Sequence, residues 1–394
     1  MRVLFVAGEF PPDVGGLGDY TALLARHLAA AGIEVGVLTR AGAAAKVAGV
    51  GVFPLVQGWG SAAWWPVLGA VRQFRPDLVH IQYQAAAFGL APAAMLLPVV
   101  LRRLGPFPAA VTFHDLRPPY LFPKAGPLRR LAVELVYRTS AGAVVTNGVD
   151  LTCLQGLRFP SGAARPPLAF IPIGSNIPVV PVSPDDLGRL RRDHGVGPDE
   201  RLVGYFGLLN WSKGVELALG ACRQLIDSGL RVRLVLIGGS AGRTDPTNLA
   251  YAGFIKRRIE ELGLGKEVLW TGPLPAGEVS RWLQAADVML LPYLDGASLR
   301  RGSLVAALVH GRPVVTTRPP DPRAIQPLSG GEHLLLTGPR PEALAGAVRE
   351  VLSDPVLAGR LAERARQAAG LFDWDGIARR HLDFYRVIGA GVAC

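Results

Sequence analysis

The chain has little cysteine, methionine or lysine. Its three cysteines, Cys153, Cys222 and Cys394, lie far apart without a C-x-x-C pair, which argues against a disulfide framework and predicts a reducing compartment and no structural metal. Only five of the 42 Lys and Arg residues are lysine, so arginine supplies most of the net charge of +11. The N-terminus lacks a basic region followed by a short apolar core, so we expect no export and a cytoplasmic location.

Long hydrophobic runs are missing as well. Residues 85–101 form a charge-free stretch of 17 residues that contains Pro92 and Pro98 and is too short for a membrane span, so we predict a core helix or a surface helix. Aromatic and basic residues flank this stretch: Trp59, Trp64, Trp65, Arg102 and Arg103. Their pattern leaves open a peripheral contact with an anionic membrane surface, at the inner face of the membrane.

Basic residues occur as scattered pairs, such as Arg102-Arg103 and Arg191-Arg192, and not as one basic run. The sequence also lacks zinc-ligand spacing and RNA-binding signatures. These features argue against nucleic acid as a partner. The positive balance favours smaller anions, among them nucleotide diphosphates.

The sequence does contain a regular alternation of strands and helices. The runs that predict strands are 3–7, 35–38, 78–81, 110–113, 143–145, 170–173, 202–206, 234–237, 268–271, 288–291, 314–316 and 334–336. A Pro-rich linker at 178–186 separates residues 1–177 from 187–372. We therefore expect an α/β protein with two Rossmann-like, doubly wound parallel-sheet domains that face a central cleft, and a C-terminal helix in 373–394 that packs back on the first domain.

A glycine-rich loop follows the first predicted strand. Gly15, Gly16 and Gly18 let the backbone approach a ligand closely before a helix that runs from Thr21 to Ala31. The start of a helix attracts anions, although tight strand-to-helix packing explains such a loop equally well. The loop does not have the G-x-G-x-x-G spacing of dinucleotide-binding proteins.

Two later strands of the first half also end in polar residues. His114 and Asp115 follow the strand at 110–113, where a histidine suits a sugar hydroxyl or a reacting oxygen and the aspartate suits an acid or base. His80 and Gln82 lie one strand earlier. A histidine in a strand is commonly a structural residue, so His114 is the stronger candidate of the two.

The second half has two candidate anion sites. Gly207 begins a loop in which Ser212 is a candidate N-cap and Lys213 is a compact positive charge suited to a phosphate. The second site is a loop that contains Ser298 and leads into a predicted helix. At the start of this helix lie two arginines and two small residues, Arg300, Arg301, Gly302 and Ser303. Arginines beside free helix N–H groups suit a diphosphate, while a capped helix with exposed arginines remains the alternative.

Several motifs in this order and spacing resemble one known family. They are Phe10-Pro11-Pro12 with Gly15-Gly16-Leu17-Gly18, Pro76-Asp77-Leu78-Val79-His80, Thr112-Phe113-His114-Asp115, Ile171-Pro172-Ile173-Gly174, Phe206-Gly207 with Lys213-Gly214, Ala286-Asp287-Val288, Gly311-Arg312-Pro313-Val314-Val315 and Phe372-Asp373-Trp374. Over almost its whole length the chain resembles the GT-B glycosyltransferases of the retaining family 4. The resemblance implies two Rossmann-like domains, with a nucleotide sugar held mainly by the second.

The resemblance also implies roles for single residues. Lys213 matches the family lysine on the donor diphosphate, His114 the histidine near the transferred sugar, and Gly16 the glycine loop that touches donor phosphate. The remaining donor-side expectations are Gly15, Gly18, Gly207, Ser298, Arg300, Arg301, Gly302 and Ser303. On the acceptor side we expect Asp19, Tyr20, His80 and Gln82, with Asp115 as a further catalytic candidate.

The sequence departs from the family at three positions. The family arginine in the Lys213 loop is replaced by Leu208, for which Arg300 or Arg301 is the expected substitute. The two family glutamates, spaced eight apart, fall on Ser298 and Ala306. Both carboxylates that the family places on the transferred sugar and the nucleotide ribose are therefore missing.

We expect a metal-independent retaining transferase that needs no cofactor and takes a nucleotide diphosphate sugar as substrate. The acceptor is a glycan, a lipid-linked molecule or a small molecule, and the charge-free stretch with its tryptophans favours cell-envelope glycan or glycolipid synthesis. Two alternatives stay open: an epimerase of the same fold that acts on a nucleotide sugar without an acceptor, and a degenerate binding protein without activity.

Overall fold

The computed structural model describes residues 1–13, 15–43, 45–105, 107–116, 126–159, 164–239 and 246–389, with backbone alone for 126–130 and 246–249. The chain divides into two units. Unit 1 contains Met1–Gly174 and Asp373–Cys394, and unit 2 contains Ser175–Phe372. The segment that the sequence assigned to a linker, 178–186, belongs to unit 2, where a helix already starts at Pro184.

Unit 1 is built on a parallel sheet. Its strands are β1 (Arg2–Ala7), β2 (Glu34–Arg40), β3 (Val50–Val56), β4 (Leu78–Tyr83), β5 (Ala109–Phe113), β6 (Gly142–Val145) and β7 (Leu168–Phe170). They stand in the order β3-β2-β1-β4-β5-β6-β7. The chain order thus reverses between β1 and β4. Ligands of such sheets bind beyond the carboxyl ends of the strands at this switch point, which is where the polar residues after β1, β4 and β5 emerge.

Helices cover both faces of this sheet. They are α1 (Gly16–Ala30), α2 (Trp64–Phe74), α3 (Pro92–Met95), α4 (Leu97–Leu104), α5 (Gly126–Thr139), α6 (Gly148–Gln155) and α14 (Trp374–Val387). The last of these packs beside α1 in the same core cluster. A Cβ on Gly174 would lie 2.5 Å from the Trp374 ring, so the segment after β7 packs closely against the start of α14. Helix α14, in the C-terminal segment expected to pack back on the first domain, belongs to unit 1.

Two expectations for unit 1 need correction. Strand β3 is not among those expected, because Pro54 interrupts its pattern, and proline is tolerated there since β3 lies at the sheet edge. The single helix expected over 85–101 is a series of turns followed by the short helices α3 and α4. Pro92 and Pro98 each lie in a first helical turn, a position that proline favours, so the two prolines start two helices.

Unit 2 repeats the same design. Its strands are β8 (Arg201–Phe206), β9 (Val232–Ile237), β10 (Val268–Gly272), β11 (Val288–Leu291), β12 (Val314–Thr317) and β13 (Leu335–Thr337). Its helices are α7 (Pro184–Asp193), α8 (Val215–Asp227), α9 (Pro246–Glu261), α10 (Ala276–Ala285), α11 (Gly302–Val309), α12 (Pro341–Ser353) and α13 (Pro355–Ala368). The parallel strands stand in the order β10-β9-β8-β11-β12-β13, so β8 and β11 flank the switch point. This order confirms the predicted fold class of two Rossmann-like units.

Among the described helices, none combines the length and the apolar character that crossing a bilayer requires.

Candidate functional site

The loop after β8 holds Lys213 in place through two glycines. Gly207 has φ +143 and Gly214 has φ +67, which are left-handed values that favour glycine. A Cβ on Gly214 would lie 2.0 Å from the carbonyl oxygen of Pro292, so the loops after β8 and β11 meet at van der Waals contact. We expected Ser212 to be the N-cap of α8, and this prediction is wrong. Gly214 holds the N-cap position, and the Ser212 hydroxyl donates to Oδ1 of Asn210.

Lys213 and an arginine from the second loop share one aromatic ring. The Lys213 Nζ lies 5.5 Å from the ring centroid of Tyr293, and the Arg301 Cζ lies 5.1 Å from it. Both distances fall within the range of cation–π attraction. Burial, and then the charge of Arg301, lower the pKa of Lys213 to about 7, while Asp295 acts in the opposite direction. The two candidate anion sites of the sequence are therefore one cationic cluster.

Arg301 is held from several sides. Its guanidinium forms an ion pair with Asp295, and its backbone is the N-cap of α11. The Tyr293 hydroxyl lies 2.7 Å from Oγ of Ser303 in the first turn of that helix, and burial raises the pKa of Tyr293 to about 12. The N–H groups of Gly302 and Ser303 precede the first intrahelical hydrogen bonds and point out of the helix end. This end therefore presents positive charge and N–H donors together.

Ser298 and Ala306 occupy the positions of the missing glutamates and are both buried. The Ser298 hydroxyl accepts the N–H of Arg300 at 3.3 Å, and its carbonyl accepts the N–H of Arg301 at 2.9 Å. Ser298 thus shapes the turn that presents the two arginines. Asp295 and Tyr293 were not among the expected site residues, and the only sequence signal for them was their position directly after β11.

The glycine loop of unit 1 is already filled by a carboxylate. Oε1 of Glu9 accepts the N–H groups of Leu17 at 3.0 Å and Gly18 at 3.3 Å, at the start of α1. A Cβ on Gly15 would lie 2.3 Å from the same oxygen, whereas one on Gly16 would meet nothing within 4 Å. Burial raises the pKa of Glu9, and the two backbone hydrogen bonds oppose that shift. Sequence reasoning missed Glu9, which lies before Pro11-Pro12 and eight residues before Leu17, outside the glycine loop.

His114 follows β5 and is held in one neutral form. Its Nε2 lies 2.9 Å from Oε1 of Gln82, and because an amide oxygen only accepts, Nε2 carries the proton. Burial, with a smaller contribution from His381, lowers the pKa of His114 to about 3. Nδ1 is therefore a hydrogen-bond acceptor across the neutral pH range. Nε2 of the fully buried Gln82 has no hydrogen-bond partner among the described residues.

The other candidates of unit 1 divide into buried and accessible residues. His80 is fully buried, and its ring nitrogens lie 2.7 Å from the Tyr385 hydroxyl and 2.8 Å from the Thr112 hydroxyl. Tyr20 is also buried, with its ring 4.7 Å from that of His114. These two side chains lie in the core and not in the acceptor-facing positions we expected. Asp19 is exposed in the first turn of α1, and Asp115 is half-buried beside His114.

Comparison with known proteins matches both units in order. Residues 15–174 match the model described as "Glycosyl transferase 4-like domain", and residues 200–354 match the one described as "Glycosyl transferases group 1". Between them the two matched segments leave out only the ends of the chain and the segment where the units join.

Similar proteins include two called D-inositol 3-phosphate glycosyltransferase. The one from Corynebacterium urealyticum is 31% identical over 50% of this chain, but the match spans only 45% of that protein. The one from Xylanimonas cellulosilytica is 27% identical over 95% of this chain and 92% of that protein. Among solved structures, Anabaena HepE in complex with UDP-glucose has a TM-score of 0.75 at 20% identity, over 98% of this chain and 100% of that one, which shows a shared fold. Motifs, fold and both family models agree, and the chain belongs to the GT-B glycosyltransferases of family 4.

Proposed function

We propose that the enzyme moves a sugar from a nucleotide diphosphate sugar to an acceptor hydroxyl with retention at the anomeric carbon. The bond from the anomeric carbon to the phosphate oxygen breaks, and a bond to the acceptor oxygen forms on the same face. The acceptor proton leaves with the phosphate oxygen, so the nucleotide diphosphate is released. The chemical demand on the protein is to stabilise negative charge that grows on the leaving diphosphate.

The observation that carries this proposal is the pair of cations at the switch point of unit 2. Lys213 and Arg301 come from loops after neighbouring strands and lie against the same Tyr293 ring. Arg301 supplies the charge that Leu208 does not, and Leu208 is 41% exposed without any polar group to offer. The N–H groups of Gly302 and Ser303 add donors for the same anion.

His114 of unit 1 is proposed to contact a hydroxyl of the transferred sugar. A neutral ring with Nδ1 as acceptor receives a hydrogen bond from such a hydroxyl and carries no charge of its own. Asp115 and Asp19 remain accessible candidates for acceptor hydroxyls. The buried His80 is proposed to support the β4 and β5 ends and not to touch substrate.

The donor site is tested by calorimetric titration of UDP-glucose, chosen because HepE binds it. We expect Lys213→Ala to weaken binding at least about tenfold, since a buried charged hydrogen bond is worth 1.5–3 kcal/mol. Lys256→Ala is the matched control, because Lys256 also lies over an aromatic ring, that of Trp270, but on α9. Equal binding by wild type and Lys213→Ala would remove Lys213 from the site.

Product analysis separates the proposal from its alternatives. A transferase releases UDP when an acceptor is supplied, whereas an epimerase leaves an altered sugar attached to its nucleotide. A degenerate protein does neither and binds no nucleotide sugar. Screening should therefore begin with UDP-, GDP-, ADP- and dTDP-sugars, each with and without glycan, lipid-linked and small-molecule acceptors.

The acceptor is proposed to lie at an anionic membrane surface, in cell-envelope glycan or glycolipid synthesis. Trp65 at 74% and Leu104 at 57% exposure line an open groove of about 430 Å³ on unit 1. Arg102 and Arg103 are exposed in the last turn of α4, beside Leu104. Apolar side chains with adjoining arginines suit the interface of an anionic bilayer.

This surface is tested by co-sedimentation with vesicles of phosphatidylcholine, with and without phosphatidylglycerol. We expect binding to the anionic vesicles only, and a clear loss of binding for Trp65→Ser. Val387→Ser is the matched control, because Val387 is 69% exposed on α14, a helix of the other core cluster of unit 1. Absence of binding by the wild type would refute the membrane proposal and leave the donor site unaffected.

A further inference from the structure

We propose that Asp295 and Tyr293 are positioning residues that hold Lys213 and Arg301 together as one phosphate-binding pair. This inference rests on the proposed function, since it concerns the same donor site. Neither residue takes part in the bond changes, and both act through the two cations.

Two like charges held close together repel each other, and partial burial adds to the cost. The Tyr293 ring offsets part of this cost because its face carries the negative end of a quadrupole. Centroid distances of 5.5 Å to Lys213 and 5.1 Å to Arg301 place both cations within reach of that ring. Asp295 offsets a further part through its ion pair with Arg301.

The backbone that carries Tyr293 and Asp295 is fixed to the rest of the sheet. The Tyr293 carbonyl accepts the Thr317 hydroxyl at 2.5 Å and the N–H of Gly296 at 3.1 Å. Gly296 has φ +84, and a Cβ there would lie 2.5 Å from Cα of Pro319. The turn therefore needs glycine at 296 and is tied to the loop after β12.

The Tyr293 side chain is fixed at its other end. Its hydroxyl lies 2.7 Å from Oγ of Ser303, which ties the ring to the first turn of α11. The ring thus connects the turn after β11 to the helix whose N-cap is Arg301. Lys213 then joins this assembly from the loop after β8, where the N–H of Leu294 donates to the Ser212 carbonyl at 3.1 Å.

Removal of the Asp295 charge should change the pH dependence of UDP-glucose affinity, which the loss of a purely structural residue would leave unchanged. The charged or titratable groups that act on Lys213 are Arg301 and Asp295, with the Tyr293 ring beside it. Arg301 lowers the pKa of Lys213 and Asp295 raises it. Affinity for UDP-glucose falls as Lys213 loses its proton, and the midpoint of this fall is a pH value. Asp295→Asn should therefore lower this midpoint by about half a pH unit or more.

The experiment measures UDP-glucose affinity and donor kcat against pH for Asp295→Asn, with Asp321→Asn as the matched control. Asp321 also pairs with an arginine, Arg323, but in the loop between β12 and β13. For Asp295→Asn we expect a lower pH midpoint of UDP-glucose affinity and a kcat reduced by roughly tenfold. For Asp321→Asn we expect wild-type values of both. An unchanged midpoint in folded Asp295→Asn would overturn the role of Asp295.

The ring is tested with two variants of Tyr293. Tyr293→Phe keeps the aromatic face, so its affinity for UDP-glucose should stay within about threefold of wild type. The affinity of Tyr293→Leu should be lower than wild type by roughly fivefold or more. Equal affinity of folded Phe and Leu variants would overturn the role of the ring. The proposed function fails separately, if the wild type binds UDP-glucose no better than Lys213→Ala.

Discussion

Donor affinity is expected to fall as the pH rises through the pKa of Lys213. Burial lowers this pKa from 10.5 to about 7, and a bound diphosphate favours the charged ammonium form. Binding above neutral pH therefore takes up a proton. If the neutral amine contributes little, the dissociation constant rises about 30-fold between roughly pH 6 and pH 8.5, which corresponds to about 2 kcal/mol.

The assay is calorimetric titration of UDP-glucose in buffers with different ionisation enthalpies. Both phosphates of a nucleotide diphosphate sugar are diesters, so the ligand has no phosphate ionisation near neutral pH, unlike a phosphate monoester. Proton uptake should be about half a proton near pH 7 and close to one near pH 8. Burial keeps the pKa values of His80 and His114 well below this range, so neither ring contributes.

Lys213→Arg is the control for this prediction, because an arginine stays charged over the whole range. Its affinity should not vary with pH, whatever its absolute value. A wild-type affinity that is constant over the range, or binding without proton exchange, would mean that Lys213 does not change its charge when the donor binds. Without donor, Lys213 should make the free energy of unfolding rise with pH from about 7 to 10.5, because over that range the unfolded chain binds the proton and the folded chain does not.

Three further changes test the local geometry. Gly214→Ala should lower the urea midpoint more than Gly263→Ala, since both glycines have positive φ but only the first has a carbonyl 2.0 Å from the new Cβ; equal losses would contradict the close approach. Gln82→Glu should raise the pKa of His114, as measured by NMR titration, because a carboxylate stabilises the imidazolium. An unchanged pKa would mean that the two side chains are not hydrogen-bonded. Glu9→Ala should lower the free energy of unfolding by about 1–2 kcal/mol and Glu9→Gln by less, as measured by urea unfolding; full stability of the alanine variant would contradict the cap.

The regular elements were largely predictable from the sequence because buried parallel strands are continuous apolar runs. The six strands expected in the second half all occur, and Lys213 and the arginines at 300 and 301 follow neighbouring strands. The edge strand β3 was missed because its exposure and Pro54 weaken the apolar pattern. The two helices within 85–104 were missed because a charge-free run has no periodicity to divide it.

The partners of the candidate residues were not predictable in the same way. Glu9 reaches the start of α1 across a turn, and Asp295 reaches Arg301 across another, so both contacts depend on backbone directions that the sequence does not state. The sequence favoured His114, which follows β5, over His80, which lies within β4, but it did not give their partners. The structure adds their partners: the hydroxyls of Tyr385 and Thr112 lie at the two ring nitrogens of His80, whereas Oε1 of Gln82 lies at Nε2 of His114.

The contact between Glu9 and the glycine loop has a consequence for how this sequence can vary. The N-cap residue of α1 is Gly15, which has no side chain, so the capping oxygen comes from Glu9. A Cβ at position 15 and a carboxylate from position 9 cannot occupy the same space. A relative with serine or aspartate at position 15 would cap the helix from its own side chain and would have no room for glutamate at position 9. Positions 9 and 15 are therefore expected to change together in evolution, because only one of them supplies the capping oxygen.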